Sequence, residues 1–212
     1  APLTGVNRAF VATGLKVMAR RARPGLRALA DAAGLAEPPR AHHLGFVLGP
    51  RINAGGRIGR ADLGARLLST RDPAEAEGLA AELDRLNRER RDLQEAVVAE
   101  ALAQAEARGP DGPLVWAAGE GWHPGIVGIV AARLKEATGR PAVVIGLDRG
   151  RGTGSGRSVS GVDLGAAVHR LAAEGHLLKG GGHRMAAGLT LEADRLEPAM
   201  ERLAALLARQ GA

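Results

Sequence analysis

Cysteine and tyrosine are missing from the 212 residues, and the aromatic side chains are only Phe10, Phe46, Trp116 and Trp122. Without cysteine there are no disulfides and no thiolate metal sites. No apolar run approaches the ~20 residues that a membrane-spanning helix needs. The expectation is a soluble, cytoplasmic protein with no membrane partner. Lysine is scarce as well: of 29 basic residues only Lys16, Lys135 and Lys179 are lysine, and the rest are arginine. The planar arginine fork suits phosphate, although a GC-rich coding sequence produces the same bias.

The net charge is +6, and its distribution says more than its size. Residues 1–71 carry a net +9, residues 72–108 a net −5 and residues 109–212 a net +2. Positive charge gathered in one third of the chain points to an anionic partner rather than to a solubilising coat.

Residues 6–22 and 24–33 read as two short amphipathic helices parted by Arg23-Pro24-Gly25. Between His42 and Arg60, arginine, asparagine and glycine alternate with small apolar residues. Arg51 and Arg57 on this Gly-rich frame either present guanidiniums to a sugar–phosphate backbone or sit in a buried turn paired with carboxylates. The adjacent His42 and His43 diverge on any regular backbone and make a poor metal pair. Residues 72–108 predict one long helix. Asp72, Pro73 and Glu75 supply a start signal, Leu79, Leu83, Leu86, Leu93 and Val97 an apolar stripe, and Gly109-Pro110 a stop. Heavy charge beside a narrow stripe suits a strut between lobes, with a coiled-coil dimer as the rival.

From residue 113 the pattern becomes β-α-β-β-α-β-α, over a span usual for a compact domain. The fold class is thus α/β: a helical entry and a long connecting helix, then a compact mixed α/β domain. Domain limits are expected at 1–71, 72–110 and 111–212.

Three loops of this last domain share one chemistry. Gly121-Trp122-His123-Pro124-Gly125 leads into a helix whose free N–H groups favour an anion. Gly154-Ser155-Gly156-Arg157-Ser158 joins two hydroxyls and a guanidinium to glycines that admit a close backbone. Gly180-Gly181-Gly182-His183-Arg184 permits positive φ angles and an anion-binding nest of amides. Together they predict a phosphate-recognition face. Trp122 either stacks a nucleobase or packs under the domain edge. His123, His169, His176 and His183 invite a metal, but no carboxylates cluster around them and no HExxH spacing occurs; His169 is expected to be partly buried in a helix. Ser155 and Ser158 lack an evident base for nucleophilic catalysis.

The runs Leu48-Gly49-Pro50-Arg51-Ile52-Asn53-Ala54-Gly55-Gly56-Arg57, Gly121-Trp122-His123-Pro124-Gly125-Ile126-Val127-Gly128-Ile129-Val130, Gly154–Ser158 and Gly181–Gly188 occur in that order. In these the chain resembles the RecJ family of bacterial single-strand-specific exonucleases, within the DHH phosphoesterase superfamily. The resemblance implies a 5′-to-3′ exonuclease of DNA repair and recombination. It implies Mn²⁺ or Mg²⁺ held by an N-terminal DHH domain whose motifs are not in this sequence, and an oligonucleotide-binding barrel beyond the C-terminal helix. The chain then corresponds to the DNA-gripping part, with no metal of its own and no turnover by itself. The resemblance further implies that Ser155, Arg157 and Ser158 hold the 5′ end. It implies that Arg51, Asn53 and Arg57 line the strand path, and that His183, with Gly181 and Gly182, faces the scissile region. Single-stranded DNA is the expected partner, with a single-strand-binding protein as a further one, and the chain is expected to be a monomer. A smaller DHH phosphoesterase acting on short oligoribonucleotides or cyclic dinucleotides, and a non-catalytic helical scaffold, are the alternatives.

Overall fold

The computed structural model describes residues 2–211. They pack as two compact units, residues 2–91 and 92–211.

In the first unit, α1 (Gly5–Ala19) and α2 (Pro24–Ala32) form where the Ala/Leu/Arg segments predict them. Arg21 turns the chain between them in the left-handed region, at φ 53°, and Pro24, which has no N–H to satisfy, suits the first helical turn. α1 buries none of its residues. Against the expectation of a Gly-rich frame or turn, residues 41–58 are helical throughout: α3 (Ala41–His43), a π turn (Leu44–Leu48) and α4 (Gly49–Ile58). Pro50 can neither donate to the ladder nor tolerate a carbonyl four residues back. The widened turn just before it relieves that clash. Gly49 closes the same turn, since a Cβ there would lie 2.5 Å from the Leu44 carbonyl oxygen.

After α5 (Leu63–Ser69), α6 runs from Pro73 to Ala107. Asp72 caps it, its Oδ1 accepting from Ala74 N at 2.9 Å. Glu75 does not complete the expected capping box; it accepts instead from Thr70 Oγ1 (2.5 Å) and Arg66 Nη2 (2.7 Å). Leu79, Leu83 and Leu86 meet Leu29, Leu48, Leu63 and Leu67 in the core of this unit. Leu93, expected in the same stripe, is exposed.

In the second unit, five strands form one sheet in the order β1 (Val115–Glu120), β2 (Ala142–Asp148), β3 (Arg151–Arg157), β5 (Ala186–Glu192), β4 (Lys179–His183). Only β1 and β2 are parallel, joined through α7 (Pro124–Thr138); the other pairs are antiparallel. α8 (Leu164–Ala173) and α9 (Leu196–Ala208) share an apolar core with Val143, Ile145, Leu189 and Leu191. Strand residues alternate between faces, which explains the sequence of β3. Gly152, Gly154 and Gly156 point into that core, where added Cβ atoms would stand 2.9 Å from Ile145 Cγ2, 2.8 Å from Ile145 Cγ1 and 2.7 Å from Leu164 Cδ2. Arg151, Thr153, Ser155 and Arg157 take the opposite face.

β1 is an edge strand, and its outer edge is closed by side chains of α6. Gln104 Nε2 donates to the Ala118 carbonyl at 2.8 Å, while its Oε1 accepts from Ala118 N at 3.1 Å. Arg108 lies over the Trp116 ring, 3.8 Å from its centroid, and donates to the Trp116 carbonyl at 3.2 Å. A primary amide thus takes the place of a neighbouring strand, one of the ways an edge is blocked. Gln104→Leu strands a partly buried N–H and C=O. The variant is expected to lose about 1–3 kcal/mol in urea unfolding and to self-associate more than the native chain on sizing.

α8 and α9 are tied by Arg202, which donates to both Glu174 oxygens at 2.7 and 2.8 Å, and Arg170 adds a bond of 2.7 Å. These bonds from Arg202 and Arg170 hold the Glu174 carboxyl down from its ordinary 4.5 to about 2. A depressed carboxylate contributes stability above the ordinary value, and that contribution is lost as pH falls through the folded value. The stability of the native chain should therefore fall more steeply between pH 4.5 and 2 than that of Glu174→Gln, as read by chemical unfolding at each pH.

Candidate nucleic-acid interface

The candidate residues fall into two groups, one in each unit. In the first unit, α4 carries Arg51, Asn53 and Arg57. Positions four apart share a helix face, so Asn53 and Arg57 lie on one exposed stripe. Arg51 points elsewhere. Its Nε donates to Asp84 Oδ1 at 2.8 Å and its Nη1 to the Val47 carbonyl at 2.7 Å, with both side chains of the ion pair only 13% exposed. Asp84 also meets Arg88 at 3.4 Å, as the helical spacing predicts. Arg51 therefore braces α4 on α6, the carboxylate-paired alternative of the two that its sequence allows.

Contrary to the expectation, the rings of His42 and His43 do not point apart but meet edge-on, their centroids 5.8 Å apart. His42 stacks on Phe46, and His43 Nδ1 accepts from Arg40 N at 3.1 Å.

In the second unit, β3 supplies Ser155 and Arg157. Arg157 Nη1 donates to Ser155 Oγ at 2.9 Å and to the Gly156 carbonyl at 2.8 Å. The pair sits against Gly128 of α7, where a Cβ would come within 2.9 Å of Arg157 Nη2 and 3.1 Å of Ser155 Oγ. Gly128 is thus part of the site, hidden from sequence reasoning because it lies inside an ordinary-looking helical pattern.

Strand register extends the site across the sheet. Ser155 pairs with Gly188, which pairs with Gly181; Arg157 pairs with Ala186, which pairs with His183. Residues in register across a sheet share a face. The middle rung therefore reads Ser–Gly–Gly, with the His169 imidazole of α8 over Gly181, its Cε1 3.3 Å from where a Cβ would stand, and the next carries a guanidinium and an imidazole two strands, or about 10 Å, apart. His183 and Gly182 are exposed. The hairpin that presents them is pinned at its tip, because Arg184 O accepts from Leu164 N (3.1 Å) and Met185 O from Ser158 N (3.0 Å).

Several expectations are corrected here. The triple glycine is no nest: Gly180, Gly181 and Gly182 lie in β4 and none has a positive φ. Its glycines serve packing. A Cβ on Gly180 would meet Leu177 Cδ1 at 2.6 Å, and one on Gly165 of α8 would meet the His183 carbonyl carbon at 2.8 Å. Ser158 is buried and its hydroxyl donates to the Val162 carbonyl at 2.8 Å, closing a turn rather than meeting a phosphate. His169 is exposed on α8 rather than partly buried.

Trp122 takes the packed alternative and cannot stack a base. Its ring is 6% exposed, lies where Gly119 leaves room, and donates from Nε1 to Glu100 Oε2 at 3.1 Å. His123 caps α7, its Nδ1 accepting from Gly125 N at 3.0 Å, so the neutral ring carries its proton on exposed Nε2. His123 and Trp122 line one end of an open cleft of about 780 Å³, with Arg149, Arg151 and Thr153 opposite.

Among the described residues no three His, Asp or Glu side chains converge to hold a metal ion.

The sheet and its pattern of glycines define the class. Residues 111–209 match the DHHA1 domain. The chain is 40% identical over 206 residues to the single-stranded-DNA-specific exonuclease RecJ of Bacillus subtilis, covering 95% of this chain and 26% of that protein. It is 40% identical over 217 residues to RecJ of Escherichia coli, covering 97% of this chain and 37% of that protein. The crystal structure of RecJ from Thermus thermophilus in complex with Mg²⁺ superposes with a TM-score of 0.87 at 39% identity, over 99% of this chain and 32% of that one. A RecJ exonuclease bound to manganese superposes at 0.84 and 40% identity, over 99% of this chain and 51% of that one. The chain corresponds in sequence and fold to the DHHA1-containing region of RecJ exonucleases. It spans about a quarter to two fifths of the length of the curated relatives described here.

A Trp116→Phe variant leaves Trp122 as the sole tryptophan. Its emission should be blue-shifted, resist acrylamide quenching and stay constant when oligonucleotide is added; solvent-like quenching would overturn the packed placement.

Proposed function

We propose that this chain is the strand-gripping part of a 5′-to-3′ single-stranded-DNA exonuclease of DNA repair and recombination. The observation that carries this reading is the rung pair on the open sheet face. Arg157 and Ser155 stand on one side, His183 on the other, and Gly188 and Gly181 carry no side chains between them. A guanidinium bonded to a hydroxyl offers a phosphate directional N–H donors with a further O–H, and Gly188 admits a sugar beside it. On this reading Arg157 and Ser155 take the 5′-terminal phosphate, His183 with Gly181 and Gly182 faces the scissile bond, and His123 borders the same face. Asn53 and Arg57 follow the strand in the first unit, with Arg51 holding their helix in place.

The relatives crystallised with Mg²⁺ or Mn²⁺ support a divalent metal in the whole enzyme. Its ligands are proposed to lie in an N-terminal DHH domain outside these residues, with an oligonucleotide-binding domain following. Residues 1–71, 72–110 and 111–212 are then the remainder of the catalytic domain, the connecting helix and the substrate-binding domain. The chain alone binds as a monomer in the cytoplasm and does not turn over, and a single-strand-binding protein is a partner of the whole enzyme.

Fluorescence anisotropy with a 5′-phosphorylated single strand, with duplex as comparison, tests this across a salt series. The single strand should be preferred and its affinity should fall with salt. Arg157→Gln should weaken binding by about ten-fold or more, the scale of a hydrogen bond to a charged group. It should also make the slope of log K against log salt less negative by about 0.7, the value of one lost single-strand phosphate contact. Equal binding by Arg157→Gln, or none by the native chain at low salt, overturns the proposal.

A further inference from the structure

In the first unit, the buried face of α6 carries a polar group that the folded chain does not satisfy. Leu83 and Leu86 of that face press on α4, meeting Gly55 and Gly59 where those lack a Cβ. The face continues at helical spacing to Asn87 and Arg90. Asn87 is fully buried. Its Oδ1 accepts from Arg90 Nη2 at 3.2 Å, which fixes the orientation of the amide and turns Nδ2 the other way. There Nδ2 is buried with no acceptor. Buried amides are nearly always satisfied, and one that is not asks for an explanation.

The surroundings indicate which partner fits. Burial, with the guanidiniums of Arg91 and Arg57, pushes the Arg90 pKa below the usual arginine value, so like charge gathers around it. The carboxylate one turn back, Asp84, is engaged by Arg51 at 2.8 Å and Arg88 at 3.4 Å. Guanidiniums and the Asn87 amide nitrogen are donors without acceptor capacity. A water satisfies Nδ2 alone; an anionic oxygen also suits the gathered positive charge. Arg57, whose charge acts on Arg90 from α4, is exposed.

We infer that Asn87, Arg90 and Arg57 form a second phosphate-oxygen site, separate from Arg157 and Ser155, that takes an internal phosphodiester of a bound single strand. The inference rests on the strand-gripping reading for the identity of its ligand, and on geometry alone for its preference for phosphate. It adds two residues of the connecting helix, Asn87 and Arg90, to the strand-binding set. The helix thereby becomes part of the binding surface as well as a link.

The test uses the whole 212-residue chain in an Arg157→Gln background, which silences the terminal-phosphate site. Inorganic phosphate should raise Tm in that background to a saturating plateau. Asn87→Asp supplies the missing negative charge from within, so it should raise Tm in phosphate-free buffer and abolish the phosphate-induced rise. Arg57→Gln changes an exposed residue and keeps the fold testable; it should weaken the phosphate response about ten-fold in midpoint concentration, the scale of a charged hydrogen bond. A 5′-hydroxyl oligothymidylate, which has only internal phosphodiesters, should bind and lose about ten-fold in affinity with either variant. A phosphate response unchanged in Asn87→Asp and Arg57→Gln, or none in the background chain, overturns the site. If phosphate responds as expected but no oligonucleotide binds, the site stands as a free-phosphate site and its assignment to a strand falls; the strand-gripping reading falls only if the chain with Arg157 intact also fails to bind the 5′-phosphorylated strand.

Discussion

Contact of neighbouring groups with bare backbone at glycine sets the spacing of the second unit. The carbonyl oxygen of Trp122 lies 2.0 Å from where a Gly146 Cβ would stand, and the His183 carbonyl carbon is 2.8 Å from that of Gly165. Neither leaves room for alanine without moving a main chain. Because α8 lies directly on β4, that short strand is held at the sheet edge with its imidazole outward. Because Gly128 lets α7 approach β3, the Arg157 guanidinium is held in its bond to Ser155 rather than left to swing. Polar groups on one face are thus positioned by missing side chains elsewhere, as site geometry requires when groups must be held to within about 0.5 Å.

Two arginines that look alike in the sequence differ through what stands near them. Arg51 meets a carboxylate of similar low exposure, and the pair spends its charge on joining two helices. Arg157 donates to a hydroxyl and to a carbonyl on its own strand, and these bonds orient the guanidinium. A guanidinium oriented in this way suits phosphate. Composition cannot separate these cases, because the carboxylate partner of Arg51 lies 33 residues away on another helix.

Local signals were legible where one residue type enforces one geometry. Pro24, Pro73 and Pro124 open helices, Asp72 and Asp163 cap them, and the order of elements after residue 113 follows from periodicity except for β4, which its glycines hid. The misreadings have a common origin. Glycine allows both positive φ and close packing, and the sequence does not say which is used. Gly180–Gly182 suggested turned-in amides but packs as an extended strand, and the stretch around Gly49-Pro50, read as a Gly-rich frame or turn, continues a helix through a π turn. Trp122 shows the same limit, since its buried place depends on Glu100, 22 residues earlier, and on the absence of a side chain at Gly119.

The closure of β1 by Gln104 and Arg108 bears on where this domain can be cut. The segment that matches the DHHA1 domain begins at residue 111, after both of these side chains and after Glu100, which receives the Trp122 indole. Sequence similarity and mechanical autonomy therefore divide the chain at different points. A piece excised at the similarity boundary would keep every strand and the Arg157, Ser155 and His183 side chains of the sheet, yet carry an open edge and an indole without its acceptor. The last turns of the long helix belong, in folding terms, to the sheet they cover.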